Sequence, residues 1–264
     1  MRPATNLTRR LQLVKKENTD AALGKVLIVI PALNEELAIG TVLKSIPDRY
    51  QGNVILVDNG STDRTAQIAA QLGAKVITEK RKGYGSACLA GIKEARSCNA
   101  DTIVFIDADS SDNPTDINRL LDQMQCQNLD FIIGSRTTGL AENGALPIHA
   151  RLGNVFATWL LYIRYGYRFT DLGPLRAIKV EQLSRLDMQD LTFGWTVEMQ
   201  AKALQRGLRV GEIPVHYRQR IGKSKISGTI SGSFLAGSKI LWIVFKHCFF
   251  RFPSFAPKAR VADY

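Results

Sequence analysis

Thr102-Ile103-Val104-Phe105-Ile106-Asp107-Ala108-Asp109 is the most informative stretch of this chain. Thr102 to Ile106 is a short run rich in β-branched residues, the pattern of a strand buried in a sheet. Two carboxylates stand two residues apart at its end. Ser110, Ser111, Asp112 and Asn113 follow, and Pro114 marks a helix start. In an open α/β sheet, ligands bind beyond the carboxyl ends of the strands. Two hard oxygen ligands there suit a divalent cation that keeps waters and also holds substrate phosphates. The competing reading is an Asp-rich turn whose side chains cap the next helix.

The neighbouring segments bear on that choice. Residues 25–30, 53–57, 74–78 and 130–134 read as further buried strands, and 35–46, 62–72, 83–96 and 114–125 as helices. Strands alternating with helices predict an α/β fold, Rossmann-like, with a mostly parallel central sheet and helices on both faces. Beyond Arg136 the alternation weakens. Residues 137–147 read as a long loop, and 149–165 as an apolar helix around Trp159, expected to pack in the core. A helix over 194–206, a strand over 208–215 and a basic loop over 218–225 follow. A last helix is expected from near Ile230.

Four strand ends then place polar groups on one edge of the sheet: Pro31-Ala-Leu-Asn34-Glu35-Glu36, Asp58-Asn59-Gly60-Ser61-Thr62-Asp63, Asp107-Ala108-Asp109 and Gly134-Ser135-Arg136. Isolated turns do not require a carboxylate or an arginine at each of them, so the convergence favours a site. Each piece also has a local explanation, since Glu36, Thr62 and Asp63 suit helix N-termini. Gly83-Tyr84-Gly85 is not a dinucleotide fingerprint: the third glycine would fall at Cys88, and the segment follows the third strand. With Arg81 and Lys82 it either touches a phosphate or simply begins a helix.

Composition sets the outer bounds. At 264 residues the chain accommodates one large domain, or a domain with an appendage. The net charge of +11 points to an anionic partner: nucleic acid, anionic lipid or a phosphorylated substrate. No recognition helix or aromatic stacking platform is visible, so no nucleic-acid partner is expected. Cys88, Cys98, Cys126 and Cys248 lack metal or redox spacing and fit a reducing compartment. Residues 1–24 read as a basic, mobile tail, or a short helix around Leu7 to Val14, without a signal-peptide core. No apolar run approaches the roughly 18 residues of a spanning helix. Residues 230–264 read as an amphipathic helix and tail, with Trp242, Phe245, Phe249 and Phe250 beside Lys239, Lys246 and Arg251. Such a segment either lies in a membrane interface or packs internally.

Taken in order, Pro31-x-x-Asn34-Glu35, Val57-Asp58-Asn59-Gly60-Ser61-Thr62-Asp63-x-Thr65, Asp107-x-Asp109 and Gly134-Ser135-Arg136 resemble family-2 glycosyltransferases of the GT-A fold. Asp171-Leu-Gly173-Pro174-Leu-Arg176, Gly194-Trp195-x-x-Glu198-Met199 and Arg220-x-Gly222-x-Ser224-Lys225 resemble its polyprenyl-phosphate branch, which includes dolichyl-phosphate mannose and glucose synthases. The resemblance spans residues 25–239, and it implies a catalytic domain over 25–229. It implies that Pro31, Leu33 and Glu35 line a nucleoside pocket, with Ala108 beside it, and that Asp58 contacts the base. It implies that Asp107 faces the ribose or the metal waters, and that Asp109 holds Mg²⁺ or Mn²⁺ on the donor pyrophosphate. Arg136, Arg218 and Lys225 would gather phosphates. Relatives often carry Gln two residues after the second aspartate where this chain has Ser111, which leaves Ser111 and Asp112 open as further metal ligands.

The implied reaction moves a hexose, glucose or mannose, from a nucleotide-sugar to a polyprenyl phosphate with inversion. The enzyme would sit peripherally at the cytoplasmic face of a membrane and serve the cell envelope. A homo-oligomer is compatible with the sequence. A phosphate acceptor is already anionic and needs positioning by Arg and Lys more than a base. Residues 218–225 carry four cations in eight positions. A sugar or lipid hydroxyl acceptor would need a general base, for which Glu198 is the candidate. A nucleotidyltransferase would want a glycine-rich loop after the first strand, and Pro31-Ala-Leu-Asn34 is not one.

Overall fold

Every residue of β1 (Val26–Ala32), β2 (Val54–Asp58), β4 (Thr102–Phe105) and β5 (Phe131–Ser135) is buried. Continuous burial is the mark of strands covered on both faces. The computed structural model describes residues 23–222, 239, 241–243 and 245–246. Of the expected tail over 1–24, residues 1–22 lie outside the described residues, as do Lys223, Lys225 and most of 230–264, whereas Leu23 is buried in the core.

The remaining strands are β3 (Lys75–Thr78), β6 (Arg176–Lys179) and β7 (Val210–Pro214). Helices α1 (Ile39–Ser45), α2 (Asp48–Gln51), α3 (Thr65–Gln71), α4 (Tyr84–Ser97) and α5 (Asp116–Cys126) fall in the first half. They are followed by α6 (Ile148–Tyr165), α7 (Val180–Leu186) and α8 (Trp195–Gln205). The strand order is β3-β2-β1-β4-β6-β5-β7. All neighbours run parallel except β6, which is antiparallel to both β4 and β5.

Side-chain alternation divides the core into two layers. Leu27, Val29, Ile55, Val57, Ile103 and Phe105 pack with α4, α6 and α8. Val26, Ile28, Ile30, Leu56, Val104 and Ile106 pack with α1 and α5.

Three expectations need correction. The sequence reading has no strand between β5 and β7, yet β6 is inserted there. It is only four residues long and starts at a fully buried arginine, Arg176. Its guanidinium donates to the carbonyls of Thr196 (2.9 Å), Leu172 (3.3 Å) and Gly173, and lies between the Phe131 and Trp195 rings. A charge so enclosed breaks the apolar pattern that marks a buried strand.

Second, α6 is not a core helix. Ala157 and Leu161 face inward, while Leu152, Val155, Phe156, Trp159, Tyr162 and Ile163 are exposed. Only one narrow stripe of the helix, at Ala157 and Leu161, meets the core.

Third, α1 and α3 start at Ile39 and Thr65, later than the expected Glu35 and Thr62. The intervening residues knit the two loops together. Asn34 N–H donates to Ser61 Oγ (2.9 Å), Thr62 N–H to Asn34 Oδ1 (2.7 Å), Glu35 N–H to Thr65 Oγ1 (2.7 Å) and Glu36 N–H to Asp63 Oδ2 (3.1 Å).

Candidate active site

A cavity of about 390 Å³ opens at the carboxyl ends of β1 and β4. Pro31, Ala32, Leu33 and Glu35 form one wall. Asp107, Ala108 and Asp109 form the floor, with Asn59 and the Lys82-Gly83-Tyr84 turn beside them. Thr192, Phe193 and Arg220 complete the lining. The central position of β1 and β4 in a mostly parallel sheet brings these strand ends together, as the sequence pattern implies.

The two aspartates differ in surroundings. Asp107 Oδ1 accepts from the Tyr84 hydroxyl at 3.0 Å. Burial, and then the Asp109 charge, push the Asp107 carboxyl up to about 7. Burial and Asp107 push the Tyr84 phenol well above its ordinary value. Asp109 Oδ1 accepts from both Ser111 N–H (2.9 Å) and Ser111 Oγ–H (2.6 Å). Asp109 Oδ2 is ion-paired to Arg220 Nη2. The turn that follows Asp109 is strained at Ser110, whose φ is +65°.

The basic loop is stitched to this turn through its backbone. Arg218 N–H donates to Ser111 O at 2.8 Å, Ile221 N–H donates to Asp109 O at 2.9 Å, and Tyr217 bridges Asp112. Ser111 therefore serves Asp109 directly. Asp112 is buried, and neither carboxylate oxygen has a hydrogen-bond partner. Burial, then Asp107 and Asp109, hold its carboxyl well above the usual range.

Several expected site residues sit elsewhere. Asp58 ends β2, but its Oδ1 accepts from Ser61 N–H at 3.1 Å, and its neighbour Asn59 lines the cavity instead. Arg136 is outside the lining and is committed to Asp171: N–H and Nε–H to Oδ2 (2.8 and 2.7 Å), and Nη2–H to Oδ1 (2.8 Å). Burial opposes its charge, but Asp171 raises its affinity for the proton above the ordinary value. Glu198 is buried and accepts from Gln189 N–H (3.0 Å), Asp190 N–H (2.7 Å) and Lys202 Nζ (2.7 Å). Arg218 is exposed, and Lys225 lies outside the described residues.

The sequence reading singled out neither Tyr84 nor the Thr192-Phe193 pair. The signal for the first was the glycine pair around it. A Cβ at Gly83 would collide with Leu191 O, and one at Gly85 with Asp190 O. Both glycines let α4 dock against the loop that carries Thr192. That same loop is tied to the C-terminal segment: Lys239 pairs with Asp190 at 3.1 Å and bonds Thr192, and Ile243 packs on Gly194.

Mg²⁺ or Mn²⁺ fits this donor set. Such a cation needs only one or two carboxylates when donor phosphates and waters complete its shell. Here a guanidinium already places positive charge against Asp109. Among the described residues, no group of three or more His, Cys, Asp or Glu is arranged for a metal.

Comparison with known proteins agrees with the geometry. The Glycosyl transferase family 2 model matches residues 27–178. A Mycobacterium tuberculosis protein described as a glycosyltransferase is 38% identical over 214 residues, covering 80% of this chain and 94% of its own. A dolichyl-phosphate hexose transferase of Haloferax volcanii is 30% identical over 223 residues, covering 83% and 94%. Among solved structures, glucosyl-3-phosphoglycerate synthase from Mycobacterium tuberculosis, in complex with Mg²⁺ and uridine diphosphate, superposes with a TM-score of 0.71. At 20% identity it covers 94% of this chain and 85% of that one. The chain belongs to glycosyl transferase family 2 and is a glycosyltransferase of the GT-A fold.

Proposed function

We propose that this glycosyltransferase moves a hexose from a nucleoside-diphosphate sugar to a polyprenyl phosphate, with inversion and with Mg²⁺ or Mn²⁺ held by Asp107 and Asp109. The observation that carries the reading is the enclosure of Glu198. Backbone donors and Lys202 take up its carboxylate, and it lies outside the cavity lining. A hydroxyl acceptor needs a base, and Glu198 is poorly placed to be one. A phosphate acceptor needs only cations to position it.

Pro31, Leu33, Glu35 and Asn59 hold the nucleoside in this reading, with Asp58 keeping Asn59 in place through the turn. Tyr84 orients Asp107. Lys82 and Arg220 face the donor diphosphate, and Arg218 is exposed at the acceptor side. When bound, the cation stabilises negative charge on the departing diphosphate. Kinship with the Haloferax volcanii dolichyl-phosphate hexose transferase supports a lipid-phosphate acceptor.

A lipid phosphate lies at head-group depth. Among the described residues no helix is long and apolar enough to cross a membrane. The exposed Phe156, Trp159 and Tyr162 of α6 suit an interfacial contact instead. The domain reading remains a catalytic unit over 25–229 followed by a C-terminal segment.

The test is incubation of the purified protein with a panel of nucleotide-sugars, Mg²⁺ or Mn²⁺, and short polyprenyl phosphates, saccharides or phosphoglycerate. The expected product is a glycosyl phosphopolyprenol. Transfer confined to hydroxyl acceptors or to phosphoglycerate would replace this reading.

A further inference from the structure

We propose that Arg220 is a built-in competitor for the cation at Asp109, and that it exchanges this carboxylate for the donor diphosphate when the site loads. The inference rests on the assignment of Asp109 as a cation ligand.

Both oxygens of Asp109 have partners. Ser111 N–H and Oγ–H occupy Oδ1, and the Arg220 guanidinium holds Oδ2. The Asp109 side chain is only 7% exposed. A cation on Oδ2 would stand beside the guanidinium and be repelled by it, so the arginine's departure favours metal binding there.

The loop that carries Arg220 cannot easily withdraw as a whole. Its backbone is pinned on either side of the arginine, by Arg218 N–H to Ser111 O and Ile221 N–H to Asp109 O. Those anchors are on the aspartate turn itself. The exchange is thus a side-chain rotation on a fixed backbone.

Two features favour such a rotation. Arg220 Nε is buried with no hydrogen-bond partner, so the pose on Asp109 leaves a donor unsatisfied. Arg220 also lines the cavity that takes the donor in the proposed reading, as does Lys82. A guanidinium matches a phosphate in bidentate geometry at least as well as a carboxylate.

The charge count gives the direction. Asp107 and Asp109 carry up to two negative charges, and Arg220 offsets one of them. A dication on the pair makes the arginine's charge redundant there, while the incoming diphosphate supplies new negative charge. Each ligand thereby clears the way for the other, and such coupling is reciprocal. Without donor, the guanidinium lowers the affinity of the pair for metal. The cavity is thus biased against holding a bare cation.

Binding measurements test this without turnover. Mn²⁺ alone is titrated by calorimetry into wild type, Arg220→Ala and Arg220→Gln, with circular dichroism and thermal melting confirming that each is folded. Both variants should bind Mn²⁺ more tightly, by about tenfold, and should bind inorganic pyrophosphate alone more weakly. Tightening is an outcome that a merely structural arginine would not produce. Unchanged or weaker Mn²⁺ binding in both folded variants overturns the inference, as does failure of all three proteins to bind Mn²⁺. Asp109→Asn separates the two levels. If Asp109→Asn leaves Mn²⁺ binding intact, the metal assignment itself falls. If it abolishes binding while the Arg220 variants match wild type, only the competition falls.

Discussion

Asp109 and Glu212 show how one type of side chain takes opposite roles from its surroundings. Asp109 accepts three hydrogen bonds, one of them from a guanidinium. Asp109→Asn keeps the shape and removes the charge. Turnover should fall at least about 100-fold, the scale of losing one electrostatic stabiliser, with an unchanged circular dichroism spectrum. A wild-type rate in the same metal would remove Asp109 from the mechanism.

Glu212 holds the backbone of Asp171, the partner of Arg136: its carboxylate accepts from Thr170 N–H at 2.9 Å and Asp171 N–H at 3.3 Å. Burial pushes its carboxyl up to about 7 despite those donors. The folded chain therefore binds this proton more tightly than the unfolded chain. The stabilisation is complete below about 4.5 and is lost as pH rises through about 7. Glu212→Gln should flatten the fall in thermal stability across that window, by on the order of 2 kcal/mol. A slope identical to wild type would show that Glu212 titrates normally.

The loop from Asp187 to Gly194 illustrates what a segment without regular structure needs in order to hold a cavity wall. Glu198 at the start of α8 takes up Gln189 N–H and Asp190 N–H, and Asp190 Oδ1 takes up Thr192 N–H (2.8 Å) and Gly194 N–H (3.1 Å). Lys239 then pairs with Asp190. The acid of this motif, read from sequence as a candidate base, instead braces a wall. Glu198→Gln should lower the melting temperature and raise the donor KM, leaving kcat within about tenfold, since removal of one partner of a buried charged pair acts first on local structure. Loss of kcat with an unchanged melting temperature would restore Glu198 as the base. Reversing charge at Arg218 should instead raise the acceptor KM, because Arg218 is exposed beside the aspartate turn. If both kinetic constants stay at wild-type values, Arg218 has no part in acceptor binding.

At the scale of the whole molecule, the described residues leave one apolar face of α6 exposed, opposite the Ala157 and Leu161 stripe that packs on the core. Helix α6 is 18 residues long, about 27 Å at 1.5 Å per residue. Its Phe156 and Trp159 rings stack 5.9 Å apart on the outer surface. The aromatic stretch expected to meet the membrane from the C-terminal side is only partly described; within it Ile243 is buried, whereas Trp242 and Phe245 are exposed. Replacing Phe156 and Trp159 together by Asp should reduce flotation with anionic liposomes several-fold at low salt. If flotation is unchanged, this face meets something other than lipid.

What the sequence determined alone is the parallel half of the sheet and the edge where the chemistry gathers. Burial periodicity is local, so β1 to β5 and their helices could be read strand by strand, and a strand end can be located without knowing its neighbours. Strand-end position put Glu35, Asp107 and Asp109 on one edge, the resemblance to family-2 glycosyltransferases added Pro31, Leu33 and Ala108, and all six share one cavity. What only the tertiary structure decided is which charge meets which. Arg220 and Asp109 are 111 residues apart, and Arg136 and Asp171 are 35 apart. Both arginines look equally available in sequence, but one is enclosed by a buried carboxylate and the other lines the cavity. The antiparallel entry of β6 and the outward turn of α6 were illegible for the same reason. Each depends on the space left between elements already packed, and no local pattern encodes that space.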